Sequence, residues 1–186
     1  LDEIDKILTV ADGIMVARGD LGVEVATERV PMLQKTLIAA CLKVAKPVIT
    51  ATQMLESMTH SPRPTRAEAS DVANAILDGT DAVMLSAETA TGQFPVESVQ
   101  TMNRIACYTE DSSKPFIRYD ERRRSFNFLP TFSHSACHAA MIAANQLGVK
   151  KILVFTESGS TASILASLRP DQMILAFTPH PDVYRR

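Results

Sequence analysis

Three short apolar runs constrain this chain more than any other feature, because none of them alternates between apolar and polar residues. They are Gly13-Ile14-Met15-Val16-Ala17, Pro47-Val48-Ile49-Thr50-Ala51 and Asp81-Ala82-Val83-Met84-Leu85. A strand with one face in water alternates, whereas one covered on both faces does not, so these runs read as parallel strands lying under helices. Each is followed by a polar, glycine-containing or hydroxyl-bearing segment and then by a stretch with helical spacing. The helices are predicted over Pro31 to Val44, Arg66 to Leu77 and Pro95 to Thr109. Pro31 suits a first helical turn, where its missing N–H leaves no bond unmade. Repeating βα units of roughly 35 residues imply either part of a (β/α)8 barrel or part of an open doubly wound sheet, and periodicity does not separate the two.

The 186 residues, 46% of them hydrophobic, can bury a core as one domain or as two small ones. With 19 basic and 21 acidic side chains intermixed, the net charge of -2 provides no global field for nucleic acid or an anionic membrane. No apolar run approaches the roughly 18 residues of a membrane span. Cys41, Cys107 and Cys137 form an odd set without CxxC spacing, each in an apolar helical stretch. They are expected as buried, reduced thiols, which suits a reducing, cytoplasmic compartment. The chain opens without an initiator Met on Leu1-Asp2-Glu3-Ile4, in helix-like sequence. The βα rhythm breaks after Asp111, and a linker is expected at 113–130. Its run Glu121-Arg122-Arg123-Arg124 reads as solvated surface, because no aromatic platform for nucleic acid is interleaved with it. An α/β pattern then resumes: helix over Thr131 to Leu147, strand over Lys151 to Phe155, helix over Thr161 to Leu168 and strand over Met173 to Phe177. The chain therefore divides into 1–112, the linker, and 131–186.

In parallel α/β architecture the carboxyl ends of the strands carry the site. Asp20, Thr52, Ser86 and Glu88 stand at those ends. Asp20, at the start of a short helix, can offer a carboxylate to a hard divalent cation, while neighbouring N–H groups hold an anion. It can equally cap that helix, and local spacing leaves both open. Taken singly, Thr52 and Ser86 read as capping hydroxyls and Glu88 as a surface acid. Four such groups on three consecutive strand ends favour a site.

These residues also carry a resemblance. Ile14-Met15-Val16-Ala17-Arg18-Gly19-Asp20-Leu21-Gly22, Ala51-Thr52-Gln53-Met54-Leu55-Glu56-Ser57-Met58, Pro62-Arg63-Pro64-Thr65-Arg66-Ala67-Glu68 and Met84-Leu85-Ser86-Ala87-Glu88-Thr89 resemble pyruvate kinase in order and spacing. The likeness is close from Leu1 to about Thr109 and returns from Lys151 to Arg169. It implies that the first segment supplies the last three βα units of a (β/α)8 TIM barrel, and that 131–186 begins an α/β regulatory domain. The implied reaction moves the phosphoryl group of phosphoenolpyruvate to ADP, giving pyruvate and ATP, the last step of glycolysis. By the same resemblance Asp20 is a ligand of Mg2+ or Mn2+, and the backbone at Gly19 and Asp20 holds the substrate carboxylate. Thr52, with Ser86 and Glu88, serves proton transfer at the enolate carbon. The phosphoryl-stabilising Lys, a second carboxylate for the metal and the ligands for K+ are expected upstream, so this chain alone is expected to be inactive. Ala87 departs from the family, where many members have Gly. A homotetramer is implied, with Pro62 to Glu68 near a subunit contact.

Thr156, Glu157, Ser158, Gly159, Ser160 and Thr161 follow a strand and open a helix, a composition that suits either a phosphate cradle or a hydroxyl-rich cap. The segment is similar to the loop that holds a sugar-phosphate activator in regulated pyruvate kinases; the class of effector, sugar phosphate or nucleotide, stays open. Glu157 puts negative charge where some activator-responsive members carry Lys. His134 and His138, four residues apart without a third ligand, are expected on ordinary helix surface. Met54 and Met58 are expected to fill core or interface volume. Two other readings compete with the kinase: a non-catalytic oligomerisation or effector-binding module, and another phosphoenolpyruvate- or pyruvate-handling barrel.

Overall fold

Strand β1 (Ile14–Ala17) pairs in parallel with β2 (Val48–Ala51), and β2 pairs in parallel with β3 (Ala82–Met84), in the order β1-β2-β3. A computed structural model describes residues 3–113 and 131–185. Within it the chain forms two compact units, 3–41 with 47–113 and 42–46 with 131–185. The basic run at Glu121–Arg124 and the linker expected from 114 onward lie outside the described residues. Ser113, placed in that linker by the sequence, closes a helix instead.

In the first unit α1 (Ile4–Val10) precedes β1, and α2 (Arg18–Glu24) follows it without an intervening loop. Next come α3 (Val30–Lys43), which belongs to this unit through Cys41, α4 (Arg66–Asp78), α5 (Ala87–Ala90) and α6 (Pro95–Ser113), with single 3-10 turns at Thr27–Arg29 and Glu56–Thr59. The sequence dictates how α4 begins and ends. Thr65 and Glu68 form a reciprocal capping box at its start, and Gly79, at φ 96°, takes the left-handed C-cap that a residue with a Cβ resists. At the amino ends of the strands, Asp81 accepts from the Val48 N–H at 2.8 Å and fixes the β2–β3 register.

The core of this unit lies between the β2–α4 connection and the helices. Met54, Leu55, Met58, Val72, Ala75 and Met102 cluster there, the first five fully buried. Each large side chain so removed from water contributes about 1.5–3 kcal/mol. Met54 and Met58 thus fill core volume, the first of the two roles expected of them. The opposite face of the sheet remains open: Met15 and Ile49 are partners in register and are 53% and 37% exposed. Cover on both faces, expected from the missing alternation, is therefore absent among the described residues, since three strands cannot close a barrel by themselves.

The second unit contains α7 (Phe132–Leu147), β4 (Lys151–Phe155), α8 (Ser160–Ser167), β5 (Met173–Phe177) and α9 (Pro181–Tyr184). Strands β4 and β5 pair in parallel, and Cys137, Val154, Ile164 and Leu165 form the core. No helix among the described residues is long and apolar enough to cross a membrane.

Two side-chain expectations are corrected. Cys41 and Cys137 are buried, but Cys107 is exposed. The buried stripe of α6 runs through Ser98, Thr101, Met102 and Thr109, and Cys107 falls between its turns on the solvent side. His134 and His138 are half-buried rather than on open surface, because they share the inward stripe of α7 with Cys137 and Met141.

Candidate active site at the strand ends

The first turn of α2 begins at the last residue of β1, with Ala17 as N-cap and no side chain capping it. Asp20 is the third residue of this helix, so capping is not its role. Its carboxylate is exposed and makes no hydrogen bond among the described residues. An unengaged acid in a first helical turn is well placed for a cation ligand. No group of three or more potential ligands surrounds it among the described residues, so Asp20 can supply only part of a coordination sphere. A Cβ added at Gly19 would meet only the Thr52 hydroxyl, at an ordinary 3.5 Å. Packing within the chain therefore does not require glycine there.

The β2 end is held in an unusual conformation. Thr52 and Gln53 have φ of 69° and 53°, the left-handed region that β-branched residues rarely enter. This turn brings the Thr52 Oγ1 to 3.0 Å from the Gly19 N–H, which donates to it. The Gly19 N–H, expected to face a substrate carboxylate, thus already has an acceptor inside the protein. The hydroxyl, having accepted, retains its own proton for donation.

Sequence reasoning read Arg18 only as part of the Arg18-Gly19-Asp20 triplet, a site for a metal ion and an acidic substrate, yet its side chain is only 8% exposed and sits at the centre of this arrangement. Its Nε and Nη2 donate to the Thr52 carbonyl at 3.1 and 2.7 Å, and Nη2 also donates to the Gln53 carbonyl at 2.9 Å. Nη1 pairs with the Asp71 carboxylate on α4 at 2.5 Å. Basic residues at strand ends are usually assigned to solvent or ligand, so only the run of apolar neighbours in Ile14 to Ala17 hinted at burial.

At the β3 end, Ser86 is the N-cap of α5, but its side chain makes no capping bond and is exposed. Glu88, expected on the open rim, is 2% exposed. Its Oε1 accepts from the Leu55 N–H at 3.0 Å and its Oε2 from the Ser86 N–H at 2.8 Å. The carboxylate therefore ties the β2 and β3 ends together. Gly92 permits the close turn behind it, since a Cβ there would lie 2.5 Å from the Glu88 carbonyl oxygen.

A second acid stabilises the same connection. Glu68 accepts from the Ser57 N–H at 2.7 Å, from the Ser57 hydroxyl at 2.5 Å and from the Thr65 N–H at 2.7 Å. Partial burial works to raise its carboxyl pKa, but the hydrogen bonds from Ser57 and Thr65 outweigh it and leave the pKa below the ordinary carboxylate value.

In the second unit, Gly159 caps α8 at φ 83°, and its N–H donates to the Thr156 hydroxyl at 3.0 Å. The Ser158 hydroxyl donates to that of Ser160 at 2.9 Å. Thr161 lies in the first turn of α8, which starts one residue before the expected position. Glu157 pairs with His180 at 2.6 Å, a contact the sequence did not reveal. A cavity of about 570 Å³ adjoins these strand ends, lined by Phe155, Thr156, Glu157, Phe177, Thr178 and Tyr184 among others.

Residues 1–99 match the family described as pyruvate kinase, barrel domain, and residues 134–186 match pyruvate kinase, alpha/beta domain. A pyruvate kinase of Sporosarcina psychrophila is 54% identical over 96% of the chain and 30% of its own length. One from Bacillus licheniformis is 51% identical over the whole chain and 32% of its own length. The chain thus spans about a third of the curated relatives it matches. A crystal structure of a pyruvate kinase from Cryptosporidium parvum superimposes with a TM-score of 0.88 at 44% identity, over 98% of this chain and 38% of that one.

Proposed function

The chain belongs to the pyruvate kinase family, and from that premise we propose that the protein containing it transfers the phosphoryl group of phosphoenolpyruvate to ADP, with the strand ends of the first unit as part of the active site. The observation that carries the reading is the Gly19 N–H to Thr52 hydroxyl bond. It joins the helix turn bearing an unengaged carboxylate to a hydroxyl that keeps its proton, the two chemistries this reaction needs side by side.

Asp20 would hold a divalent cation, Mg2+ or Mn2+, as one ligand of several. A cation there offsets the charge of the gathered phosphoryl and carboxylate oxygens. With the Gly19 N–H occupied, the substrate carboxylate is assigned to the N–H of Asp20. Thr52 orients a proton or a water toward the enolate carbon, because a free hydroxyl is too weak an acid at neutral pH to act unaided. The exposed Ser86 hydroxyl continues that relay. Glu88 positions both hydroxyl-bearing loops through their backbone N–H groups rather than exchanging a proton itself, since both of its oxygens accept from amides.

For the second unit, the Thr156, Ser158, Gly159, Ser160 and Thr161 segment is assigned to an effector phosphate, supported by a cavity that Thr156, alone of the five, lines. The Glu157 carboxylate works against a highly charged ligand there. A homotetramer is proposed on family grounds alone.

A coupled assay of the full-length protein with phosphoenolpyruvate, ADP and a magnesium salt tests the reading. Steady pyruvate formation dependent on all three is the expected result, and its absence would overturn the assignment.

A further inference from the structure

From the geometry at the β1 and β2 ends we infer that Arg18 is a positioning residue, whose guanidinium locks Thr52 and Gln53 into the left-handed turn that aims the Thr52 hydroxyl. The inference rests on the proposed role of Thr52.

Two consecutive non-glycine residues at positive φ are an unfavourable local choice, each costing energy that the surroundings must offset. The turn also directs two carbonyl oxygens away from the β1–β2 ladder. Both of those oxygens converge on Arg18, which spends three donor contacts on them and one on Asp71. With the side chain 8% exposed, water offers little substitute. The arginine fork suits this task geometrically: its planar nitrogens reach two carbonyls and a carboxylate at once, whereas a lysine ammonium is a single point. Asp71, 39% exposed, orients the fork from α4 and balances its charge.

The consequence is a shared origin for both halves of the rim. Arg18 immediately precedes Gly19, whose N–H donates to Thr52. One residue of the β1 end therefore holds the β2 end by its side chain, and the next holds it by its backbone. Losing the fork should let the turn relax, moving the hydroxyl from its aim without removing any group that touches substrate.

The test is a set of variants of the full-length protein, read by deuterium exchange at the pyruvate methyl beside phosphoryl transfer. Misplacement of a reacting group by about 1 Å can lower a rate on the order of 100-fold, so Arg18→Lys is expected to slow methyl exchange by tens-fold or more, with KM for phosphoenolpyruvate little changed. Adding Thr52→Ala to Arg18→Lys is expected to cause little further loss, because both act through one hydroxyl. Gln53→Gly, which enters the left-handed region without a Cβ penalty, is expected to recover part of the loss in the Arg18→Lys background. Should Arg18→Lys fail to fold, Asp71→Asn, which leaves the fork in place but loosens it, should show a smaller loss of the same kind. Losses that simply multiply with Thr52→Ala, together with no recovery by Gln53→Gly, would overturn the role of Arg18. A Thr52→Ala variant with unaltered methyl exchange would instead overturn the role of Thr52 on which the inference rests.

Discussion

The Thr52 hydroxyl accepts a hydrogen bond from the Gly19 N–H at 3.0 Å, so the group proposed to handle the proton and the helix turn that presents Asp20 are fastened directly to one another. Removing that acceptor leaves the amide unpaired as well as deleting the hydroxyl. Thr52→Ala in the full-length protein should slow methyl proton exchange by about 10²-fold or more, the scale of general acid–base contributions. Phosphoryl transfer should fall far less. Thr52→Ser, which keeps the oxygen, should retain most of the exchange, and equal losses in both steps would contradict the assignment.

Glu88 places a carboxylate where two backbone amides need acceptors. Glu88→Gln supplies one carbonyl oxygen and one NH2 group, and the latter can only oppose an N–H. A buried donor left unmet costs about 1–3 kcal/mol. Denaturant unfolding of the variant should show that loss, and a midpoint equal to wild type would argue against the clamp.

Gly92 offers a steric check on the same turn. Gly92→Ala puts a methyl 2.5 Å from the Glu88 carbonyl carbon's oxygen, a distance that forces backbone to shift. Overpacking of this kind costs about 1–3 kcal/mol. Thermal unfolding should report it, with the activity loss following from displacement of Glu88.

The fold was legible where periodicity carries it. The missing alternation in Ile14 to Ala17 and Val48 to Ala51 gave parallel strands, and helical spacing from Arg66 gave the start of α4, though not the Thr65–Glu68 capping box that fixes it. The site was legible as a set of strand-end residues, not as a wiring diagram. Glu88 reads as a surface acid because charge predicts exposure, and only the fold brings the Leu55 N–H to it. Arg18 and Asp71 are 53 residues apart, and no local spacing links them. Left-handed φ at Thr52 and Gln53 is equally invisible, since neither is a residue type that announces it.

The depressed pKa of Glu68 gives a pH dependence. A carboxyl whose folded pKa lies below its unfolded value contributes stability fully above the unfolded pKa, and that contribution fades as pH falls through the folded one. Wild type should therefore lose stability relative to Glu68→Gln as pH drops below about 4, near the ordinary carboxylate value. Thermal midpoints across an acid series check this. A gap between the two proteins that widens toward low pH would reverse the sign and contradict the hydrogen-bonded carboxylate.

The most direct measurement compares wild-type and Asp20→Asn full-length protein for phosphoryl transfer from phosphoenolpyruvate to ADP across a magnesium or manganese titration. The carboxylate of Asp20 is exposed and engages no group among the described residues, so its replacement should leave folding intact. If it is a ligand of the cation, turnover should collapse and the concentration of metal needed for half-activation should rise by tens-fold or more, the scale expected for losing a charged ligand. Unchanged turnover with an unchanged metal requirement would contradict the assignment of this strand-end rim as the active site.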